Sequence, residues 1–266
     1  MKYVLDFLET VKKQSKVLYV IALVHLVVSL VCIVGVFIDS RTLMGINVWI
    51  KPLKFNISVA VYLLTVGFLI TLYPYSNLKK NIINHITAWT LLVEVGIITY
   101  QGVRGVQSHY NTSSAFDGIL FGIMGLLVAI NVLVMIWFIF DTVRLKLHTE
   151  KSIQWAILLG WIVIVIGSWI GGQMIKQMSH TVGIADGGEG LPILNWSTIA
   201  GDLRVAHFFS LHTIQIIPLF AFVLSKKWKS TSKKQILMVT TFAFVYAFWI
   251  GFVFYQAKQG IPLIRL

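Results

Sequence analysis

Seven apolar runs, each close to the roughly 20 residues that a helix needs to cross a bilayer core of about 30 Å, dominate this 266-residue chain. They fall at about 16–38, 55–73, 80–103, 117–140, 152–175, 205–224 and 234–257. The pieces between them are too short for a soluble domain of useful size. The chain is also 57% hydrophobic and only 12% charged, far from the balance of a soluble protein. The predicted fold is therefore all-α: one polytopic, seven-transmembrane-helix bundle spanning residues 1–266. A short amphipathic helix on the membrane surface precedes it, with Tyr3, Val4, Phe7, Leu8 and Val11 at helical spacing between lysines.

In a soluble chain, 22 Lys and Arg against 10 Asp and Glu would suggest a nucleic-acid partner. Here the basic residues sit at span ends, so the expected partner is the lipid bilayer, and no nucleic acid is expected. Fourteen of them fall on the N-terminus and the 2/3, 4/5 and 6/7 connections, and eight on the other side. The positive-inside tendency then places the N-terminus in the cytoplasm and the C-terminus outside, in a bacterial inner membrane. Cys32 is the chain's one cysteine, which excludes an internal disulfide and a thiolate zinc site.

With this orientation the three motif-rich connections share the outer side. The first, DSRTLMGINVWIKPLKFN, carries Lys51 and Lys54, an interfacial Trp49, and a helix start marked by Lys51-Pro52. The second, QGVRGVQSHYNTSSAFDG, carries Gln101, Arg104 and His109. The third runs through the glycine-rich ADGGEGLP and carries His180, Asp186, Trp196 and Arg204, with His207 and His212 following in span 6. That third connection reads as a re-entrant or capping loop, since it has neither a P-loop nor a dinucleotide fingerprint.

Helix geometry sharpens span 6. At about 100° per residue, Arg204, His207, His212 and Gln215 share an arc of roughly 140°. Lipid penalises such a face, so it should look into the bundle. Asp202 is a natural N-cap, and Pro218 should kink the helix and free the carbonyl of Ile214.

In span 3, Thr87, Thr90, Glu94, Gln101 and Gly105 fall within a stripe of roughly 60°. Glu94 is the only acid deep inside any span. A carboxylate there must be neutral or meet a histidine, a cation or a metal. Gly118-x3-Gly122 and Gly167-x3-Gly171 are spacings that let helices approach closely.

The segments KPLKFNIS, RGVQSHYN, DGGEGLP and GDLRVAHFFSLH resemble those of a group of bacterial seven-helix membrane proteins, a resemblance that implies no activity. The chain is much more loosely similar to haem A synthases, in which a span ending in a glycine-rich outer loop is followed by a haem-binding histidine. Gly171, Gly172, the 183–196 loop and His207 would be the matching elements. That family's outer-loop cysteines are absent here, and no arginine follows His207.

Two functions are expected from these residues. In the first, Glu94, His207 and His212 are the catalytic residues of a membrane enzyme with an outward-facing pocket. Its cofactor would be haem or a divalent metal, with His109, His180, His207 and His212 as candidate metal ligands. Lys51, Lys54, Gln101, Arg104, Asp186, Trp196, Arg204 and Gln215 would bind an amphiphilic anionic substrate. In the second, Glu94 and the span 6 histidines serve a proton-coupled transporter, or a sensor of outside pH or ligand. The absence of an interior lysine in span 7 argues against a retinal photoreceptor despite the seven spans. HExxH and GxSxG are absent.

Overall fold

The structure, a computed structural model, describes residues 2–228 and 230–265. Among these residues it is all-α apart from two short antiparallel strand pairings, and six helices are long and apolar enough to cross a membrane, or seven if the bent pair near residue 212 is one span. The chain resolves into two compact units, one reaching to Val134 and the other starting at Met135.

The first unit begins with α1 (Lys2–Gln14) and α2 (Lys16–Ile38). The apolar stripe of α1 docks rather than only floating on lipid: Val11 is fully buried against Gly67, and Phe7 meets Phe68 at 5.1 Å. Between the two helices, Ser15 Oγ donates to the Gly67 carbonyl at 2.8 Å.

Strands β1 (Thr42–Leu43) and β2 (Ile46–Asn47) form a hairpin with Leu43 opposite Ile46. Its turn residues Met44 and Gly45 both have left-handed φ, 53° and 81°, as a two-residue turn that follows strand twist requires. Asp39 accepts from Arg41 and from the Trp49 indole at 2.9 Å, and these donors hold its carboxyl well below the usual carboxylate range. The Trp49 ring lies on Gly35, where no Cβ would fit.

Helix α3 (Ile50–Leu69), continued by a 3-10 turn to Leu72, starts five residues before the expected span. Pro52 sits in its first turn, where the missing N–H has no intrahelical partner to lose. Lys51 and Lys54 are thereby helical residues. Helix α4 (Asn77–Arg104) is capped at its start by Ser76. It ends at Gly105 (φ 73°), whose N–H reaches the Gly102 carbonyl while Val106 N–H reaches that of Gln101. That paired closure needs a left-handed residue, hence glycine.

Helix α5 (Ala115–Arg144) contributes residues to both units. Its Gly118 and Gly122 have no atom within 4 Å of where a Cβ would stand, so the close approach expected from their spacing is not made among the described residues.

In the second unit, α6 (Lys151–Gln177) is the central helix. Three of its glycines receive other helices: Gly160 meets Ile214, Gly167 meets Ser210 and Gly171 meets His207. The Gly167-x3-Gly171 spacing is thus a true helix contact. Strands β3 (Thr181–Val182) and β4 (Gly201–Asp202) pair antiparallel and lead into α7 (Leu203–Leu211), α8 (Thr213–Lys227) and α9 (Ser232–Lys258). Helices α6, α8 and α9 share a core of Ala156, Ile217, Ala221, Val239 and Ala243, flanked by Phe220 stacked on Phe242 at 4.1 Å.

Span 6 departs from expectation. The helix bends by 44° at His212, more than a turn before Pro218, which lies inside α8. Side-chain hydroxyls take up the backbone there: Thr213 Oγ1 and Tyr246 OH both donate to the Phe209 carbonyl, at 3.2 and 2.9 Å, and Ser210 Oγ donates to that of His207 at 2.8 Å. A membrane helix tolerates a break where neighbouring hydroxyls satisfy the freed groups, and here those hydroxyls cluster around His212 rather than Pro218.

Candidate functional site

Beyond the Asp39 cluster of the hairpin, three groups of polar residues stand out in the first unit. At the end of α4, Arg104 Nη1 binds Asp117 Oδ1 at 2.6 Å, Gln101 Nε2 binds the same oxygen at 2.8 Å, and Ser114 Oγ binds Oδ2 at 2.7 Å. The guanidinium also lies over Tyr100 and Phe116, at 5.6 and 5.3 Å. Nearby in sequence, His109 Nδ1 stands 3.0 Å from Ser108 Oγ and 3.3 Å from Lys51 Nζ, with the ring 5.9 Å from that of Phe55.

The second group runs along α4. Asn84, Thr87 and Glu94 are all buried, Glu94 with 7% of its surface exposed. Asn131 of α5 is buried beside them and donates to Thr90 Oγ1 at 2.6 Å. Four atoms of this group, Asn84 Oδ1, Thr87 Oγ1, Glu94 Oε2 and Asn131 Oδ1, have no hydrogen-bond partner among the described residues.

The third group was not legible in the sequence. His25 of α2 is buried, and its Nδ1 stands 2.8 Å from Asn56 Oδ1. The Asn56 amide nitrogen donates to the Pro52 carbonyl and to Thr99 Oγ1. That nitrogen fixes the amide orientation, so Asn56 Oδ1 accepts and His25 Nδ1 carries the hydrogen. A histidine in an apolar run and an asparagine 31 positions away carry no local signal of each other.

In the second unit, two aspartates organise the glycine-rich loop. Asp186 accepts from Ser179 Oγ, His180 Nδ1, Thr181 Oγ1 and the backbone N–H groups of His180 and Thr181, at 2.5 to 3.0 Å. Burial raises its affinity for a proton, but the His180 hydrogen bond and charge and the remaining donors outweigh that and hold the carboxyl well below the usual carboxylate range. Asp202, 1% exposed, caps α7 through Arg204 N–H at 2.9 Å and pairs with the Arg204 guanidinium at 2.6 Å. Arg204 also donates to the Asn195 carbonyl. Trp196 is buried and turns its edge to Phe208 at 5.5 Å, so the loop folds back onto α7.

The span 6 histidines are held separately. His207 Nδ1 is 2.8 Å from the Gly167 carbonyl. The His212 ring sits at the bend, 4.6 Å from that of Phe208. The Gln215 side chain, one turn on, lies within hydrogen-bonding reach of His212.

Glu94, Lys51, Lys54, Gln101, Arg104 and His109 thus belong to the first unit, and Asp186, Trp196, Arg204, Gln215 and the other three histidines to the second. Both arginines expected to hold an anionic group are neutralised by an aspartate. No three His, Cys, Asp or Glu side chains among the described residues are placed to hold a metal ion. Compared with known protein families, characterised proteins and solved structures, the chain matches none.

Proposed function

We propose that this integral membrane protein is proton-coupled, a transporter or a sensor, and that Glu94 is the group that binds and releases the proton. The observation that carries this reading is the Glu94 carboxyl itself: buried mid-helix in α4, with Oε2 lacking a partner among the described residues. An unsatisfied polar atom in a membrane interior costs several kcal/mol, and an intramembrane acid is retained where a function needs it. The bias of Lys and Arg supports placing α1 and the α3–α4 turn in the cytoplasm of a bacterial inner membrane.

The test uses the full chain in liposomes. Acid-minus-alkaline infrared difference spectra are expected to contain the carbonyl-stretch band of a protonated carboxyl, and Glu94→Gln to remove it. For a transporter, Glu94→Gln is also expected to abolish flux driven by an imposed pH gradient. An unchanged band would end the proposal.

A second reading rests on His207. A carbonyl only accepts, so His207 Nδ1 carries the hydrogen and Nε2 keeps its lone pair. That is the tautomer and support of a metal- or haem-ligating histidine, and haem needs only one or two axial ligands. Protein purified from haem-replete cells would then show a Soret band that His207→Ala abolishes. A spectrum without the band, together with no stoichiometric metal, would eliminate this reading.

A further inference from the structure

We infer that the proton reaches Glu94 through a file of water along α4 from its N-terminal end, beside the α3–α4 turn, and that Ile98 closes the helix toward its C-terminal end. The inference rests on Glu94 as the proton-binding group and adds the side from which it is served.

The four unpartnered oxygens are not scattered. Asn84, Thr87 and Glu94 lie on one face of α4, and Asn131 reaches that helix between Thr87 and Glu94, at Thr90. At about 1.5 Å per residue the levels of Asn84, Thr87, Thr90 and Glu94 are separated by about 4.5, 4.5 and 6 Å. Two hydrogen bonds through one water span roughly 5.5 Å. The first two steps are therefore within reach of one bridging water, the third is shortened by the long Glu94 side chain leaning back toward the helix N-terminus, and the orphaned oxygens supply acceptors along the way. The Asn131 amide, fixed by its bonds to Thr90 Oγ1 and the Leu127 carbonyl at 2.6 and 3.1 Å, aims its unpartnered Oδ1 away from those partners.

In the other direction the face is apolar. Between Glu94 and Gln101, about 10 Å along the axis, it offers Ile98, which is 1% exposed. Gln101 beyond it is already bound to Asp117 and Arg104. A proton can hop along the first path by hydrogen-bonded water, and it meets a hydrocarbon step on the second.

Cysteine accessibility tests this. Single cysteines are introduced by Asn84→Cys, Thr87→Cys and Ile98→Cys, with Leu133→Cys as a lipid-facing control, in a Cys32→Ser background. Each full-length protein is reconstituted in a known orientation and exposed to a charged, membrane-impermeant thiosulfonate from either side. A thiol reacts as thiolate, which forms only where water reaches it, so Asn84→Cys and Thr87→Cys should label at least roughly tenfold faster than Leu133→Cys. They should do so only from the α1 side, and Ile98→Cys should match the control from both sides.

Labelling of Thr87→Cys from the opposite side would overturn the inference. So would rapid labelling of Ile98→Cys, or control-level labelling at both Asn84→Cys and Thr87→Cys in protein that melts like the parent. The infrared band of Glu94 is measured independently. Its loss in Glu94→Gln alongside a failed labelling pattern would refute the route alone, while its persistence would refute the proton site.

Discussion

Gly167→Leu is expected to unseat α7 from α6 and lower the stability of the second unit by about 3 kcal/mol or more, an overpacking cost at the upper end of the usual range. A Cβ at this position would stand 2.6 Å from Ser210 Cβ. Backbone lies directly behind that side chain, with the Ser210 carbonyl carbon at 3.4 Å, so rotating the serine does not make room. The Gly167 carbonyl also receives His207 Nδ1, so the substitution should displace that ring. A thermal melt in detergent reads the first effect, and the histidine side-chain signals in nitrogen-15 NMR read the second. Gly172→Ala is the matched control. Among the described residues nothing lies within 4 Å of its would-be Cβ, so helix propensity alone predicts a gain of up to about 1 kcal/mol.

Asp202→Ala should be comparably severe for a different reason. It removes the α7 cap and leaves the Arg204 guanidinium, three-quarters buried, without its carboxylate. Stranding one partner of a buried pair costs about 3–5 kcal/mol, and a lost cap about 1 kcal/mol. The two losses share Arg204, so they will not simply add. Ser197 N–H, which also binds this carboxylate at 2.9 Å, would be left unpaired, and the loop from 183 to 200 should become open to protease. Asp202→Asn keeps an acceptor for the cap and for Ser197, and is expected to recover part of the loss. Equal protease resistance in Asp202→Ala and the parent chain would show that the loop is held from elsewhere.

These two sites also show what kind of information the sequence carries. Asp202 as a cap was readable because capping acts across two or three residues, and Gly167-x3-Gly171 because a small-residue stripe repeats at the helix period. The sequence could not tell that stripe from Gly118-x3-Gly122, which has the same spacing but, among the described residues, nothing within 4 Å of where either Cβ would stand. Which glycines touch a helix depends on the partner, and the partner is remote in sequence. The same limit explains the bend in span 6. Pro218 was the visible local signal, but the break lies where Tyr246, 37 residues from Phe209, brings its hydroxyl to the freed carbonyl. Asp186 and Arg104 stand in the sequence as charges without evident partners, and the fold supplies His180 and Thr181 to the one and Asp117 to the other.

Residue by residue, the sequence alone determined the class of the protein, its apolar runs, its helix caps and the placement of one acid, Glu94, deep inside a span. Those features follow from solvent preference and from interactions one helical turn long. Only the tertiary structure decided which polar atoms find partners, leaving Glu94, Asn84, Thr87 and Asn131 with orphaned oxygens while matching Arg104 to Asp117 and Arg204 to Asp202. Even where the partners are near in the chain, as Asp202 and Arg204 are, ion pairs and hydrogen bonds are settled by which side chains the folded backbone brings into contact.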